Sequence, residues 1–305
     1  MSRAWATARG LAAATPAGRD RYVDFLRAGS IVVVVIGHWL AVTVVVADGR
    51  IEGRHVLEVL PATHILTWGF QIIGLFFLVG GYVNAASWSS AQRSGAGYAS
   101  WLVARGVRLL IPTTVFLTCG VTVAAAARLS GLDPSLVRLG AWLVAIPLWF
   151  LVVYLIVVAL TPVMLSAHRR WGPQVYLVLG VTAAAGDAVR LTTGVPWWAV
   201  ANFVIVWLVA HQLGFAWQEG SLAAGRRPWV LLGAGTGCLV ATTTIGPYPV
   251  SMVAYPGAPL QNTSPPTLAL LALVVAHTGL VLLLPPTVRR WLERPRLWTD
   301  RKSVV

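Results

Sequence analysis

RYVDFLRAGSIVVVVIGHWL, residues 21–40, sets Arg21, Asp24 and Arg27 close together and then runs on with no charged side chain until Asp48. A hydrocarbon core about 30 Å thick takes about 20 helical residues at about 1.5 Å each. Residues 28–47 meet that length and hold one ionisable group, His38. The stretch therefore predicts a membrane-spanning helix entered from a charged edge. Working outward, runs of the same character recur at 64–86, 107–127, 142–165, 173–190, 196–216, 228–246 and 266–285, the fifth of them ending on Asp187 and Arg190. The expected fold is all-α, a polytopic transmembrane bundle of about eight spanning helices.

Composition points the same way. Hydrophobic residues make up 57% of the chain and charged residues 11%, whereas a soluble domain carries about a quarter charged residues to cover its surface. The net charge of +13, from 23 basic and 10 acidic residues, would in a soluble protein raise the question of nucleic acid. Here the charges sit between apolar runs, so topology explains them, the lipid bilayer is the expected partner, and no nucleic acid is expected. Cytoplasmic loops carry the excess of Lys and Arg. With the N-terminus inside, the inner segments hold Arg3, Arg9, Arg19, Arg21 and Arg27, then Arg93, Arg105 and Arg108, then Arg169 and Arg170, then Arg226 and Arg227, and finally the basic residues from Arg289 to Lys302. That is eighteen, against five outside: Arg50, Arg54, Arg128, Arg138 and Arg190. The asymmetry predicts eight crossings with both termini cytoplasmic.

Residues 1–18, Ala-rich and lacking the apolar core of a signal peptide, are expected to be a disordered cytoplasmic segment. Residues 19–290 form the transmembrane domain and 291–305 a cytoplasmic tail in this reading. Residues 88–106 alternate apolar and polar positions without spanning length, which predicts a loop followed by an interfacial helix. The uncharged loop 247–265 reads as a plain connector, and Cys119 and Cys238 as small buried hydrophobes. No GxGxxG, Walker-type or GxSxG motif occurs, so the common soluble nucleotide and hydrolase mechanisms lack sequence support.

Charge inside a spanning helix costs about 2.5 to 3.5 kcal/mol near the centre, so each ionisable residue there asks for a reason. His38 stands ten residues beyond the start of its run, about 15 Å into the bilayer and near the midplane. Its neutral imidazole is cheaper to bury than a fixed charge and is suited to accept and return a proton. Arg27 lies eleven positions earlier, three turns plus about 20°, so the two share one face of the helix. Asp24, three before Arg27, shares that stripe and can pair with it. The column suits an anionic ligand held at the membrane surface whose reactive end reaches a base in the interior. The blander alternatives are a histidine hydrogen-bonded between helices and an arginine anchored at the headgroups. Arg105 and Arg108, three apart at the inner mouth of the third run, project to one side and suit a phosphorylated cofactor, or else anchor the helix. Gln71, Asn84, Trp149 and Asn202 either line the same cavity or serve interhelical bonding and packing. His211 and His277 lack metal-site spacing, and no metal is expected. Asp187 and Arg190 read as a local ion pair.

The quoted first run, together with FFLVGGY of the second, RGVRLLIP entering the third and PLWFLVVYLIVVALTP of the fourth, resembles the bacterial acyltransferase 3 family of integral-membrane O-acyltransferases over residues 19–297. That family is similar in having Arg, ten residues and His in its first span, here Arg27 and His38, and an RxxR pair at the inner end of the third, here Arg105 and Arg108. The resemblance implies an acyltransferase in the bacterial inner (plasma) membrane that uses acyl-CoA, usually acetyl-CoA, from the cytoplasmic side. It also implies transfer of the acyl group to a hydroxyl of a carbohydrate or other acceptor, with His38 as base or acyl relay and the arginines holding the donor. Two departures stand out. Gly80 precedes Gly81 where many members have Ser. Members usually have about ten spans, so the closing spans are expected to be missing here and the activity impaired.

Two competing readings remain beside the enzyme. A transporter or lipid-handling protein would use the same cavity without chemistry. A truncated, inactive acyltransferase would bind acyl-CoA without transfer. The acceptor is left open by the residues, among a sugar, a glycolipid, an antibiotic and a cell-wall unit.

Overall fold

The computed structural model describes residues 20–291 except 48–49, 135–136, 139, 142–147, 196, 285–287 and 289. The expectations for residues 1–18 and for nearly all of the 291–305 tail lie outside the described residues. What is described is mostly helical. In chain order it comprises α1 (Arg21–Ala41), β1 (Val42–Ala47), β2 (Arg50–His55), α2 (Val56–Val59), a 3-10 turn (Pro61–Leu66), α3 (Thr67–Phe70), α4 (Ile73–Arg93), α5 (Tyr98–Leu129), α6 (Leu148–Ala159) and α7 (Thr161–Trp171). There follow α8 (Gln174–Thr193), α9 (Trp197–Val200), α10 (Asn202–Gln218), α11 (Arg227–Thr244) and α12 (Leu268–Leu283).

Among the described residues, α1, the segment Pro61–Arg93, α5 and α8 are each long and apolar enough to cross a membrane. Taken together across their 55° bend, α6 and α7 make a fifth such segment. This is a helical membrane protein. Every one of the eight predicted runs contains a helix, but four to five meet the full length and hydropathy requirement.

Strictly all-α it is not. The first run ends early, at Ala41, and the chain turns into an antiparallel hairpin pairing Val42 with His55 and Ala47 with Arg50. Val42–Val46 is an unbroken series of β-branched residues, which are stiff at χ1 and favour strands. Val32–Val35 has the same character yet stays helical; what sets Val42–Ala47 apart is the partner strand Arg50–His55 that pairs with it. A second correction concerns residues 88–106. No separate interfacial helix forms: α4 runs to Arg93 and α5 starts at Tyr98 and continues for 32 residues. Gly95, at φ 74°, closes α4 with the Ala96 N–H on Ala91 O and the Gly95 N–H on Gln92 O, the left-handed glycine cap of a helix end. Gly131 closes α5 in the same way. Cys119 and Cys238 are exposed, not buried; both stand on helix faces that the rest of the described chain leaves uncovered.

The chain divides into two compact units, residues 1–79 with 219–305, and residues 80–218, with α4 passing from one to the other. In the first, α11 and α12 cross closely: a Cβ on Gly235 would collide with the Ala276 backbone, and one on Gly279 with Leu232 N and Pro228 O. Small residues at a crossing let membrane helices approach backbone to backbone. The Tyr22 hydroxyl donates to Val281 O at 2.5 Å, and Phe25 meets Trp291 edge-on at 6.3 Å.

The loop expected to be a plain connector is instead clamped onto α3. Trp68 Nε1 donates to Val250 O at 2.8 Å, Gln71 Nε2 to Met252 O at 2.9 Å, and the Met252 N–H to Thr67 Oγ1 at 2.8 Å. Asn262, fully buried, donates to Pro249 O and Ser251 O and accepts from Thr267, the N-cap of α12. Buried backbone carbonyls need partners, and these amides and hydroxyls supply them.

In the second unit α10 is buried along nearly its whole length, against α8, α6 and α7. A Cβ on Gly81 would strike His211 O, so α4 meets α10 there without a side chain between.

Candidate functional site

Arg27 and His38 lie on one unbroken helix, α1, so the eleven-residue spacing does put them on one stripe, separated by about 16 Å of rise. The covered face of α1 is a different one. Tyr22, Leu26 and Ser30 are buried at four-residue intervals, and a Cβ on Gly37 would stand 3.2 Å from the Phe70 ring. Each of Arg27 and His38 follows a residue of that face by one, about 100° round the helix, and both are exposed. His38 falls in the last turn of α1. The midplane placement rested on a helix reaching residue 47; with the helix ending at Ala41, His38 is about 5 Å from its C-terminal end.

His38 Nδ1 is 2.8 Å from Val34 O in its own helix. A carbonyl only accepts, so Nδ1 is the donor in this contact, and in the neutral ring the lone pair falls on Nε2. Asp24 is half-buried one turn before Arg27, its amide on Asp20 O at 3.3 Å.

Arg105, Arg108 and Trp149 belong to the second unit. Arg105 and Arg108 stand on α5, but their surroundings differ. Arg105 is half-buried and its Nη2 reaches Val83 O of α4 at 3.4 Å, whereas Arg108 is exposed. Trp149 packs edge-on against Phe150 and Phe203, at 6.5 and 6.4 Å. Arg169, which carried no expectation beyond its side of the membrane, donates to Ser89 Oγ at 2.7 Å.

Hydrogen bonding within the protein, between helices for Asn84 and Asn202 and from a helix end to the loop for Gln71, is what the neutral polar residues do. Gln71 bonds Met252 O, Asn84 Nδ2 lies 3.2 Å from His211 Nε2, and Asn202 donates to Ala183 O at 3.0 Å. His211 is fully buried with Phe215 edge-on at 4.7 Å, and its neighbour Gln212 joins His168 Nδ1 at 2.9 Å. His277 Nε2 lies 2.9 Å from Trp68 O. Asp187 and Arg190 form the expected pair at 2.8 Å. At Gly80 the Tyr154 hydroxyl stands 2.8 Å from where a Cβ would be, so the departure from Ser leaves room for a tyrosine hydroxyl.

Sequence reading missed one cluster. Tyr255, from the clamped loop, lies 5.0 Å from the His64 ring and 6.4 Å from the His55 ring. His55 Nδ1 caps α2 by accepting from the Leu57 N–H at 3.2 Å, and His64 Nε2 lies 2.8 Å from Leu57 O. Burial holds the His55 imidazole below its ordinary value, against the opposing pull of the Glu58 carboxylate. A neutral ring is what the cap requires, since protonation would remove the accepting lone pair. Lone histidines, one at the end of β2 and one in the 3-10 turn, carry no spacing signal, and their partner is far away in sequence.

No curated protein and no solved structure matches the chain. The family model described as an acyltransferase domain matches residues 20–299, which takes in the Arg27 and His38 helix, both arginines of the RxxR pair and every helix of the two units, and on that match the chain belongs to the acyltransferase 3 family.

Proposed function

We propose that the protein is an O-acyltransferase of the inner (plasma) membrane, crossing it eight times with both termini cytoplasmic. It moves an acyl group, in the simplest case acetyl, from cytoplasmic acyl-CoA to a hydroxyl of a carbohydrate or other acceptor. The observation that carries the reading is the His38 ring, held by Val34 O in the tautomer that leaves Nε2 free, on the same stripe as Arg27. In this mechanism His38 Nε2 takes the proton of the acceptor hydroxyl as its oxygen attacks the thioester carbon. The C–S bond then breaks, and the proton passes to the departing CoA thiolate. Arg27 pairs with donor charge at the inner end of α1, about 16 Å of helix rise away, a span that an extended pantetheine arm bridges. Arg105 and Arg108 are assigned to the donor phosphates; Asp24 orients Arg27, and Trp149 has a packing role.

Labelled acetyl-CoA supplied to inside-out vesicles tests this. Transfer of label to a membrane or soluble acceptor is expected, and His38→Ala should lower it about 10²-fold or more. Arg105→Ala and Arg108→Ala should each raise the KM for the donor about tenfold or more, the worth of a charge-assisted contact. Full transfer by His38→Ala would remove the mechanism.

A further inference from the structure

We propose that the His55, His64 and Tyr255 cluster is the seat of the acceptor, and that the acceptor it takes is a neutral polyhydroxylated molecule, a sugar without phosphate or carboxylate. The inference rests on the O-acyltransferase reading for the word acceptor, but the binding site stands on its own geometry.

Three rings converge, and each keeps a polar edge unused. Among the described residues the Tyr255 hydroxyl, His55 Nε2 and His64 Nδ1 make no hydrogen bond within the protein, while the other nitrogen of each histidine is engaged at Leu57. All three residues are half-buried, so each ring is backed by protein and open on its remaining side. Rings with a polar rim meet what a pyranose offers, C–H faces flanked by hydroxyls that both donate and accept.

Charge narrows the class. No Asp, Glu, Lys or Arg occurs between Arg227 and Arg289, a stretch that includes the whole Tyr255 loop. The charged residues beside the cluster, Arg54 and Glu58, face each other at 3.5 Å. Among the described residues, a phosphorylated or acidic sugar would find no unpaired cation there to offset its desolvation.

Rigidity supports binding as well. The loop carrying Tyr255 is held to α3 by the Trp68, Gln71 and Thr67 bonds and braced within itself by Asn262, so little conformational entropy remains to be lost when a ligand settles. The same α3 meets the outer part of α1, Phe70 against Gly37, one residue before His38. In the proposed topology both loops follow odd-numbered crossings and lie on the outer face.

The test uses the full chain in lipid nanodiscs, with maltotriose as neutral probe and glucose 6-phosphate as charged probe, followed by saturation-transfer NMR. Maltotriose should bind the unaltered protein, and Tyr255→Ala should weaken it at least about tenfold. Tyr255→Phe, which keeps the ring and guards against a folding defect, should weaken it about fivefold through loss of one hydroxyl bond. Glucose 6-phosphate should bind no more tightly than maltotriose. Absence of maltotriose binding, equal binding by Tyr255→Ala, or tighter binding of the phosphate would each overturn the proposal. Acetyl transfer measured on the same preparations reports separately: a protein that binds maltotriose and transfers nothing sinks the enzyme reading and leaves the sugar site standing.

Discussion

Asp187 has no exposed surface, and its carboxylate is held by Arg190 three residues on, at 2.8 Å from Nη2. Removing the guanidinium takes the ion-pair partner from a buried charge, so Arg190→Ala should lower stability by about 3 to 5 kcal/mol, while Asp187→Ala/Arg190→Ala together should recover most of it. Thermal unfolding midpoints in detergent decide this; a single variant as stable as its parent would show that the pair holds nothing. Such a pair is legible in the sequence because helix geometry alone brings positions three apart together. The same is true of the Arg27 and His38 stripe. What Gln71, Asn84 and Asn202 would bond was not legible, since their partners Met252, His211 and Ala183 lie on other segments. Nor was the His38 tautomer, which depends on the rotamer that brings Nδ1 to Val34 O.

Helices end and cross where short-range chemistry meets long-range packing. The glycine caps at Gly95 and Gly131 were readable in principle, because only glycine reaches positive φ without strain. The early stop of α1 was harder: hydropathy continues through Val46, and the strand pairing that uses those residues comes from beyond Asp48. At the crossing of α11 and α12 the glycines separate into two kinds. A Cβ on Gly279 would meet backbone atoms of Leu232 and Pro228, whereas Gly233 has open space around its Cβ position. Gly279→Ala should therefore destabilise by about 1 to 3 kcal/mol through overpacking, and Gly233→Ala should be neutral or stabilise by up to about 1 kcal/mol through helix propensity. Equal effects in a denaturation series would mean that the two helices do not approach as closely as the structure has them.

For the molecule as a whole, alternation of basic loops predicts a side for every connection, and the first unit bears on it. The beginning of the 64–86 run and the 247–265 loop, predicted at one side, are joined by hydrogen bonds, and the ends predicted on the other side meet through Tyr22 and Val281. With Cys119 and Cys238 replaced by alanine, Gly257→Cys should react with an impermeant maleimide in intact cells and Ser94→Cys only after permeabilisation; the reverse pattern would invert the topology. The sequence by itself determined that the chain is apolar and helical, where its runs fall, and that Arg27 and His38 share a stripe, because hydropathy, charge bias and the 3.6-residue period are properties of contiguous residues. Only the tertiary structure decided where α1 stops, which of its faces is covered, how the 247–265 loop is clamped and that Tyr255 stands against His55 and His64. Those outcomes depend on contacts between segments far apart along the chain, and no local pattern encodes which distant surface will fill a given face.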